Sequence, residues 1–100
     1  SKALERVLRK NTKENLWLYV LRIIRSKPVH AYTLRQEIQK KFGFKPGNVT
    51  AYRVLYSLKR EGMVIKTSNG RRKIYKITEK GRKELNKAVK FYKRLVQSLQ

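Results

Sequence analysis

Apolar residues recur at the spacing of one buried helix face between Asn48 and Glu61. Ala51, Val54, Leu55 and Leu58 stand at positions i, i+3, i+4 and i+7, the period of an amphipathic α-helix. This stretch therefore predicts a helix with one side in the core. Its outward positions carry hydrogen-bond donors and aromatic rings rather than acid–base pairs: Val49, Thr50, Tyr52, Arg53, Tyr56, Ser57 and Arg60. Such a face is typical of a helix that binds another molecule.

A basic hairpin is predicted directly after this helix. Gly62 ends the helix, and two strands follow, from Met63 to Thr67 and from Lys73 to Thr78. They flank Asn69-Gly70, and Asn-Gly between two strand-like runs is the strongest two-residue hairpin signal. We call this hairpin, residues 63–78, the wing.

The expected pairing of the wing brings like charges together. A loop formed by Asn69-Gly70 would place Lys66 opposite Lys73 and Val64 opposite Tyr75. Paired lysines destabilise a hairpin unless an anion lies nearby, although lysines also protect an exposed edge strand from aggregation. The tip favours contact with phosphate, because it carries Arg71, Arg72 and Lys73.

Three more helices are predicted before this stretch, at residues 1–10, 13–26 and 30–41. The first is too short to be stable alone, so we expect it to dock on another surface. The second has a wide apolar face and is predicted to be central to the core, and Pro28 ends it. The third has a narrow apolar stripe. The turn at residues 42–47 follows, and Asn48 is expected to cap the next helix.

Two single residues have more than one interpretation. Trp17 fits a core or interface position better than a ligand-stacking one, because large aromatic side chains are mostly buried. His30 is the only histidine, and the chain has no cysteine, whereas protein metal sites need three or four ligands. We therefore expect His30 to cap or pack, and we expect no metal and no cofactor.

The C-terminal helix, from Glu79 to Leu99 after a Thr78 cap, carries apolar residues at alternating steps of three and four. That is the a/d pattern of a coiled coil over two heptads. A helix that extends beyond its domain must bury this face, and a second copy of the chain and the N-terminal helix are the nearest candidates. We predict a homodimer whose interface contains Leu4, Leu8, Trp17, Leu85, Val89, Tyr92, Leu95, Val96 and Leu99.

Charge limits the choice of partner. Twenty-seven Lys and Arg residues face six acidic residues, for a net charge of +21 and a pI near 10.8. Self-repulsion on that scale is tolerable mainly when a polyanion is the partner. No apolar run reaches the ~18 residues that span a bilayer, so we expect no membrane partner. An enzyme is not expected either, because the scattered acids and one histidine provide no paired general acid and base. The lack of cysteine fits a cytoplasmic, nucleoid-associated protein.

A helix with a polar outer face followed by a cationic hairpin is the outline of a winged helix-turn-helix, in which the helix enters the DNA major groove. The predicted fold is mainly α with a small β-hairpin wing. Residues 1–78 would form the DNA-binding domain, including the N-terminal helix at 1–10, and residues 79–100 a dimerisation helix. The predicted contacts to double-stranded DNA are Arg35, Lys45, Asn48, Thr50, Tyr52, Arg53, Ser57, Arg71, Arg72 and Lys73.

Three segments resemble the PadR family of transcriptional regulators. They are Leu21–Leu34 (LRIIRSKPVHAYTL), Val49–Val64 with its Glu61-Gly62 end, and Arg71–Leu85 (RRKIYKITEKGRKEL), whose wing and Thr-x-x-Gly helix start are the most specific part. The resemblance implies a dimeric, repressor-like DNA-binding protein whose N- and C-terminal helices form the dimer. Many members sense a small molecule, but a single C-terminal helix leaves little room for a large pocket, so the sequence does not support an effector.

This sequence departs from the family pattern at three positions. Ala31 stands where the family has Gly, which changes little if that position is helical. Val49 and Ala51, at the start of the recognition helix, stand where the family has Gly and Leu, so base preferences cannot be carried over. The alternative to a sequence-specific regulator is a nucleoid-architectural protein, because so high a charge supplies strong non-specific binding. Outer residues able to read bases favour the regulator. RNA is a weaker candidate, because single-strand RNA modules present aromatic residues on a sheet.

Overall fold

The structure, a computed structural model, describes the backbone of residues 1–100 and every side chain except that of Asn69. The described chain is mainly α-helical with a small antiparallel sheet, as predicted. In chain order its elements are α1 (Lys2–Lys10), α2 (Leu16–Ser26), β1 (Val29–His30), α3 (Leu34–Phe42), α4 (Asn48–Arg60), β2 (Val64–Asn69), β3 (Arg72–Ile77) and α5 (Glu79–Leu99). Single 3₁₀ turns precede α2 and α3, at Lys13–Asn15 and Ala31–Thr33.

The core is built around α2, which contacts α3, α4, α5 and β3. Its wide apolar face makes this possible, and the predicted central position is confirmed. The predicted inward residues of α4 are also confirmed, since Ala51, Leu55 and Leu58 are buried and Val54 is half-buried. The buried apolar side chains are Leu16, Val20, Leu21, Ile23, Ile24, Val29, Leu34, Ile38, Ala51, Leu55, Leu58, Val64, Tyr75 and Leu85.

The region between α2 and α3 differs from the prediction of a helix at residues 30–41. Pro28 holds the preceding Lys27 in extended backbone, and Val29–His30 continues as a strand instead of opening a helix. A 3₁₀ turn follows, in which the Thr33 hydroxyl donates to the His30 carbonyl at 3.1 Å. His30 stacks on Tyr32, with ring centroids 5.6 Å apart, which is a packing role.

The sheet has three strands in the order β1-β3-β2, all antiparallel. The register of the wing corrects the predicted one. Val64 pairs with Ile77 rather than Tyr75, and Lys66 pairs with Tyr75 rather than Lys73. The Lys66 ammonium lies 6.0 Å from the centroid of the Tyr75 ring. A cation–π contact therefore replaces the expected like-charge pair, and the pairing no longer argues for a bound anion.

The shifted register follows from the turn. Asn69 pairs with Arg72, so the loop residues are Gly70 and Arg71. An Asn-Gly type I′ loop needs positive φ at both central residues, whereas positive φ among the described residues occurs only at glycines. Gly70, with φ +64°, fits the first central position of a type II′ turn. The Asn69 side chain, on which the sequence signal depended, lies outside the described residues.

The junction between α4, β2 and α5 is a dense hydrogen-bonded corner. Gly62, with φ +76°, ends α4 as predicted. The Gly62 N–H donates to Lys59 O and the Met63 N–H donates to Leu58 O, which is the Schellman pattern of a helix end. Thr78 caps α5 through Gly81 N and donates its hydroxyl to Gly62 O at 2.6 Å. Gly81 is buried so tightly that a Cβ would lie 2.2 Å from Met63 O.

The N-terminal helix α1 is held mainly at its end. The Tyr19 hydroxyl donates to the Asn11 carbonyl, and the Tyr92 hydroxyl donates to Asn11 Oδ1 at 2.7 Å. Asn11 also caps α1 by donating from Nδ2 to Val7 O at 2.8 Å. One residue therefore connects α1, α2 and α5, while no residue of α1 is buried.

Candidate nucleic-acid interface

The orientation of α4 is fixed by the turn that precedes it. The Arg35 Nε donates to the Pro46 carbonyl at 2.8 Å, and Pro46 itself is buried. The cap of α4 is Gly47 rather than the predicted Asn48, because Gly47 is the extended residue before the first helical turn. Asn48 is therefore the first residue of the helix, and its side chain is exposed.

The outward face of α4 is fully available to a ligand. Its polar members are Asn48, Thr50, Arg53, Ser57 and Arg60, and all of them are exposed. Between them stand Val49, Tyr52 and Tyr56, which are 64%, 44% and 61% exposed. Val49 and Tyr56 were not among the predicted contact residues, although their spacing from Tyr52 in the sequence already indicated them.

The wing presents its cations at the tip. Arg71, Arg72 and Lys73 are all exposed, and Lys73 Nζ donates to Ser68 Oγ at 3.3 Å. Beneath them, burial raises the pKa of the Tyr75 phenol, with the nearby Lys59 charge opposing the shift. The buried Tyr75 ring anchors the wing to the core.

The two remaining residues predicted to contact DNA, Lys45 and Arg35, differ in how exposed they are. Lys45 is exposed in the turn before α4. Arg35 is half-buried, and its Nε is used by Pro46 O. Sequence patterns do not predict that hydrogen bond, because it joins residues in two separate elements. Arg35 therefore positions the turn, and any contact with DNA must come from the rest of its guanidinium group.

Few acids neutralise this surface. Among the described side chains, the cations of α4 and of the wing tip take part in none of the salt bridges. One acid, Glu14, is instead paired at the end of α1, where hydrogen bonds from Lys10 and Arg9 lower the pKa of its carboxyl. The salt bridges are Arg9–Glu14, Lys10–Glu14, Lys27–Glu37, Arg82–Glu79 and Lys87–Glu84.

A second exposed surface lies on α1 and the far half of α5. Leu85 does not belong to it, contrary to the prediction, because Leu85 is 3% exposed and packs in the core of the protomer. Trp17 and Tyr92 are half-buried, and Trp17 Nε1 donates to Asn15 Oδ1 at 3.0 Å. The exposed apolar side chains of this surface are Leu4, Val7, Leu8, Val89, Phe91, Leu95, Val96 and Leu99.

A cleft of about 480 Å³ opens between α2 and α5, with Leu18, Tyr19, Phe42 and Val89 among its lining residues. The cleft adjoins the exposed apolar part of α5, because Val89 belongs to both.

No group of three His, Cys, Asp or Glu residues is arranged to hold a metal ion in the described chain. None of the helices over the described residues combines the length and apolar character that a bilayer span requires.

Comparison with known families identifies this arrangement. The model of the transcriptional regulator PadR-like family matches residues 20–87, which include α2 to α4, the wing and the start of α5. The chain belongs to the PadR-like family. It is therefore a DNA-binding transcriptional regulator with a winged-helix fold. Among curated proteins, no sequence gives a significant match.

Solved structures agree with this fold. A PadR family transcriptional regulator from Eggerthella lenta superposes with a TM-score of 0.79 at 22% identity, over 98% of this chain and 87% of that one. A PadR-like transcription factor from Bacteroides fragilis gives 0.78 at 22% identity, over 97% and 95%. F93 from STIV, a winged-helix DNA-binding protein, gives 0.73 at 25% identity, over 87% and 96%. The fold thus extends through α5.

Proposed function

We propose that this PadR-like protein acts as a homodimer that inserts α4 into the major groove of duplex DNA and rests the wing on the sugar–phosphate backbone. One observation carries the proposal. The outward face of α4 and the wing tip combine exposed hydrogen-bond donors with positive charges that take part in no salt bridge among the described side chains. A duplex offers both base-edge acceptors and phosphates to such a surface.

Base reading is assigned to the first turns of α4. Arg53 is exposed beside Thr50 and Asn48, and an arginine in the major groove can donate two hydrogen bonds to guanine O6 and N7. Tyr52 and Ser57 extend the same face. A bidentate contact of this kind discriminates between bases by ~1 to 3 kcal/mol.

Phosphate contact is assigned to Arg71, Arg72 and Lys73 on the wing and to Lys45 before α4. These side chains are exposed, and cations that neutralise phosphate add affinity regardless of sequence. Arg35 contributes chiefly by fixing the turn through Pro46 O, so its loss would move α4 as well as remove a charge.

Dimerisation is assigned to the second exposed surface. Monomeric proteins rarely expose large apolar patches, and here exposed apolar side chains lie on α1 and on the end of α5, with Leu4, Leu8 and Leu95 among them. A second copy of the chain is the partner that a self-complementary surface fits. The dimer would also cover the cleft between α2 and α5.

A bound dimer would regulate by occupying promoter DNA at the nucleoid, so we infer repression as its mode of action. The test is a selection of bound sites from random duplexes. One enriched palindromic site is expected. No enrichment would contradict sequence-specific regulation and would instead favour an architectural protein bound through charge alone.

Two sets of variants then separate base reading from phosphate binding. Arg53→Ala should flatten the preference at one or two positions of the half-site, whereas Arg72→Ala with Lys73→Ala should weaken all duplexes evenly. Lys93→Ala, which removes one exposed charge from the far half of α5, is the control for net charge. Equal weakening of the selected site and its single-base variant by Arg53→Ala would make Arg53 a phosphate contact.

A further inference from the structure

The middle of the outward face of α4 is apolar, which a phosphate-binding surface does not require. Val49, Tyr52 and Tyr56 stand at positions i, i+3 and i+7 and are 64%, 44% and 61% exposed. A helix turns about 100° per residue, so the three side chains lie within roughly 60° of one another on the side opposite the core. We call these three residues the apolar stripe.

The surroundings of the apolar stripe indicate what covers it. Asn48 and Arg53 flank it on α4, and both are exposed. The cations of the wing follow in the chain, and the whole protein carries a net charge of +21. An apolar protein surface docking here would have to cover these charges, whereas a nucleic acid neutralises them. The occupant is therefore duplex DNA, and the stripe faces the base edges.

Base edges in the major groove offer one apolar group to such a stripe. That group is the C5-methyl of thymine, and the other groups that distinguish the base pairs there are hydrogen-bond donors and acceptors. From Val49 to Tyr56 the helix rises by about 10 Å, which matches roughly three base steps of 3.4 Å. The stripe is long enough to contact methyl groups on consecutive base pairs.

We propose that the apolar stripe reads thymine methyl groups, so that the half-site contains two or three thymines beside the base pair contacted by Arg53. The inference rests on the proposed function, because it presumes that α4 enters the major groove. It adds the class of DNA that is bound, namely duplexes that present thymine methyl groups in the major groove.

Deoxyuridine tests the idea directly, because it pairs like thymidine but lacks the methyl group. Each thymidine of the selected half-site is replaced in turn, and affinity is measured by fluorescence anisotropy at one salt concentration. Burying a group the size of CH₂ contributes ~0.8 kcal/mol, so each contacted methyl should be worth roughly a fourfold change in Kd. Replacements in the flanking duplex should have no effect.

Variants show whether the stripe is responsible. In Val49→Ala or Tyr56→Ala the penalty for deoxyuridine should shrink at one position, as in a double-mutant cycle. Lys83→Ala, an exposed change on α5 outside the proposed DNA-binding surface, should leave that penalty intact. Val49 and Tyr56 are both well exposed, so truncating either side chain should not unfold the protein. A Kd that no deoxyuridine replacement changes would overturn the inference, and so would a penalty that Val49→Ala and Tyr56→Ala both leave unchanged.

The result remains interpretable if the selection yields no site. The same comparison is then made with a random duplex pool built with thymidine or with deoxyuridine throughout. Weaker binding of the deoxyuridine pool by the wild type, lost in Val49→Ala, would support methyl contact even though sequence-specific regulation had failed. Equal binding of both pools would reject methyl contact. The hypothesis of sequence-specific regulation fails when no site is enriched, whereas the hypothesis of methyl contact fails when deoxyuridine has no effect, so the two outcomes can be told apart.

Discussion

Replacing Gly81 by alanine tests the corner where α5 leaves the wing. In an exposed helix this substitution would stabilise, because alanine is preferred over glycine by about 1 kcal/mol. Here the added Cβ would lie 2.2 Å from Met63 O and 2.8 Å from Ile77 Cγ1. The first of these neighbours is backbone and cannot rotate away.

The expected loss of stability follows from what must move. Relief of the contact requires Met63 O and α5 to separate by about 1 Å, and Met63 O also accepts a 3.0 Å hydrogen bond from Thr78 N. Overpacking of this kind costs ~1 to 3 kcal/mol, and weakening a hydrogen bond adds ~1 kcal/mol. After the alanine preference is subtracted, Gly81→Ala should destabilise the fold by about 2 kcal/mol. For a domain of this size Tm should fall by roughly 8 to 16 °C.

Thermal and urea unfolding followed by circular dichroism measure this loss. Protein concentration must be held constant, because an associating protein has a concentration-dependent Tm. Lys83→Ala and Lys83→Gly, at an exposed position of α5, give the alanine preference of that helix without a steric contact. A Gly81→Ala variant as stable as the wild type, or more stable, would contradict the tight packing of Gly81 against Met63 O.

Two further predictions concern DNA and the dimer. Log K for DNA should fall with log salt at a slope of about −5 to −9, because ~6 to 10 phosphates are neutralised per dimer; titrations at several salt concentrations give the slope, and a value near −2 would mean that most charges face away from DNA. Leu95→Ala with Leu99→Ala should yield a folded monomer in sedimentation, because these side chains are 39% and 78% exposed in the protomer and covering the exposed part of each in a dimer would contribute at most ~1.5 to 3 kcal/mol. Ile65→Ala, an apolar truncation at a half-exposed strand position, is the matched control, and a dimer that survives the double variant would place the interface on Leu4, Val7 and Trp17.

The sequence predicted α4 well because local and tertiary signals agree there. Its apolar period matched the face that is buried, and Gly62 supplied the αL residue that ends the helix. The wing was predicted as a hairpin, but its loop was predicted at Asn69-Gly70 and lies one residue later, at Gly70-Arg71. Asn69-Gly70 is a strong signal for one turn type, whereas Gly70 alone satisfies another, and sequence spacing does not distinguish the two.

Errors elsewhere came from contacts distant in sequence. The strand at Val29–His30 exists because β3 pairs with it, and nothing in two residues predicts that. Leu85 fits the a/d pattern of α5 as well as Leu95 does, yet the first turns of α5 pack on α2 and bury Leu85 in the core. The pattern identifies the apolar face of a helix but not which neighbour covers each part of it.

The connection of α1 through Asn11 has a thermodynamic consequence for occupancy of DNA. A helix of nine residues with none buried is only marginally stable by itself, so contact with a partner would add to its order. Ordering of α1 and association of two chains would then be one coupled equilibrium, and the ordering free energy would be subtracted from dimer affinity. The intrinsic helix propensity of α1, at residues outside the proposed DNA-binding surface, would in this way influence the protein concentration at which an operator fills.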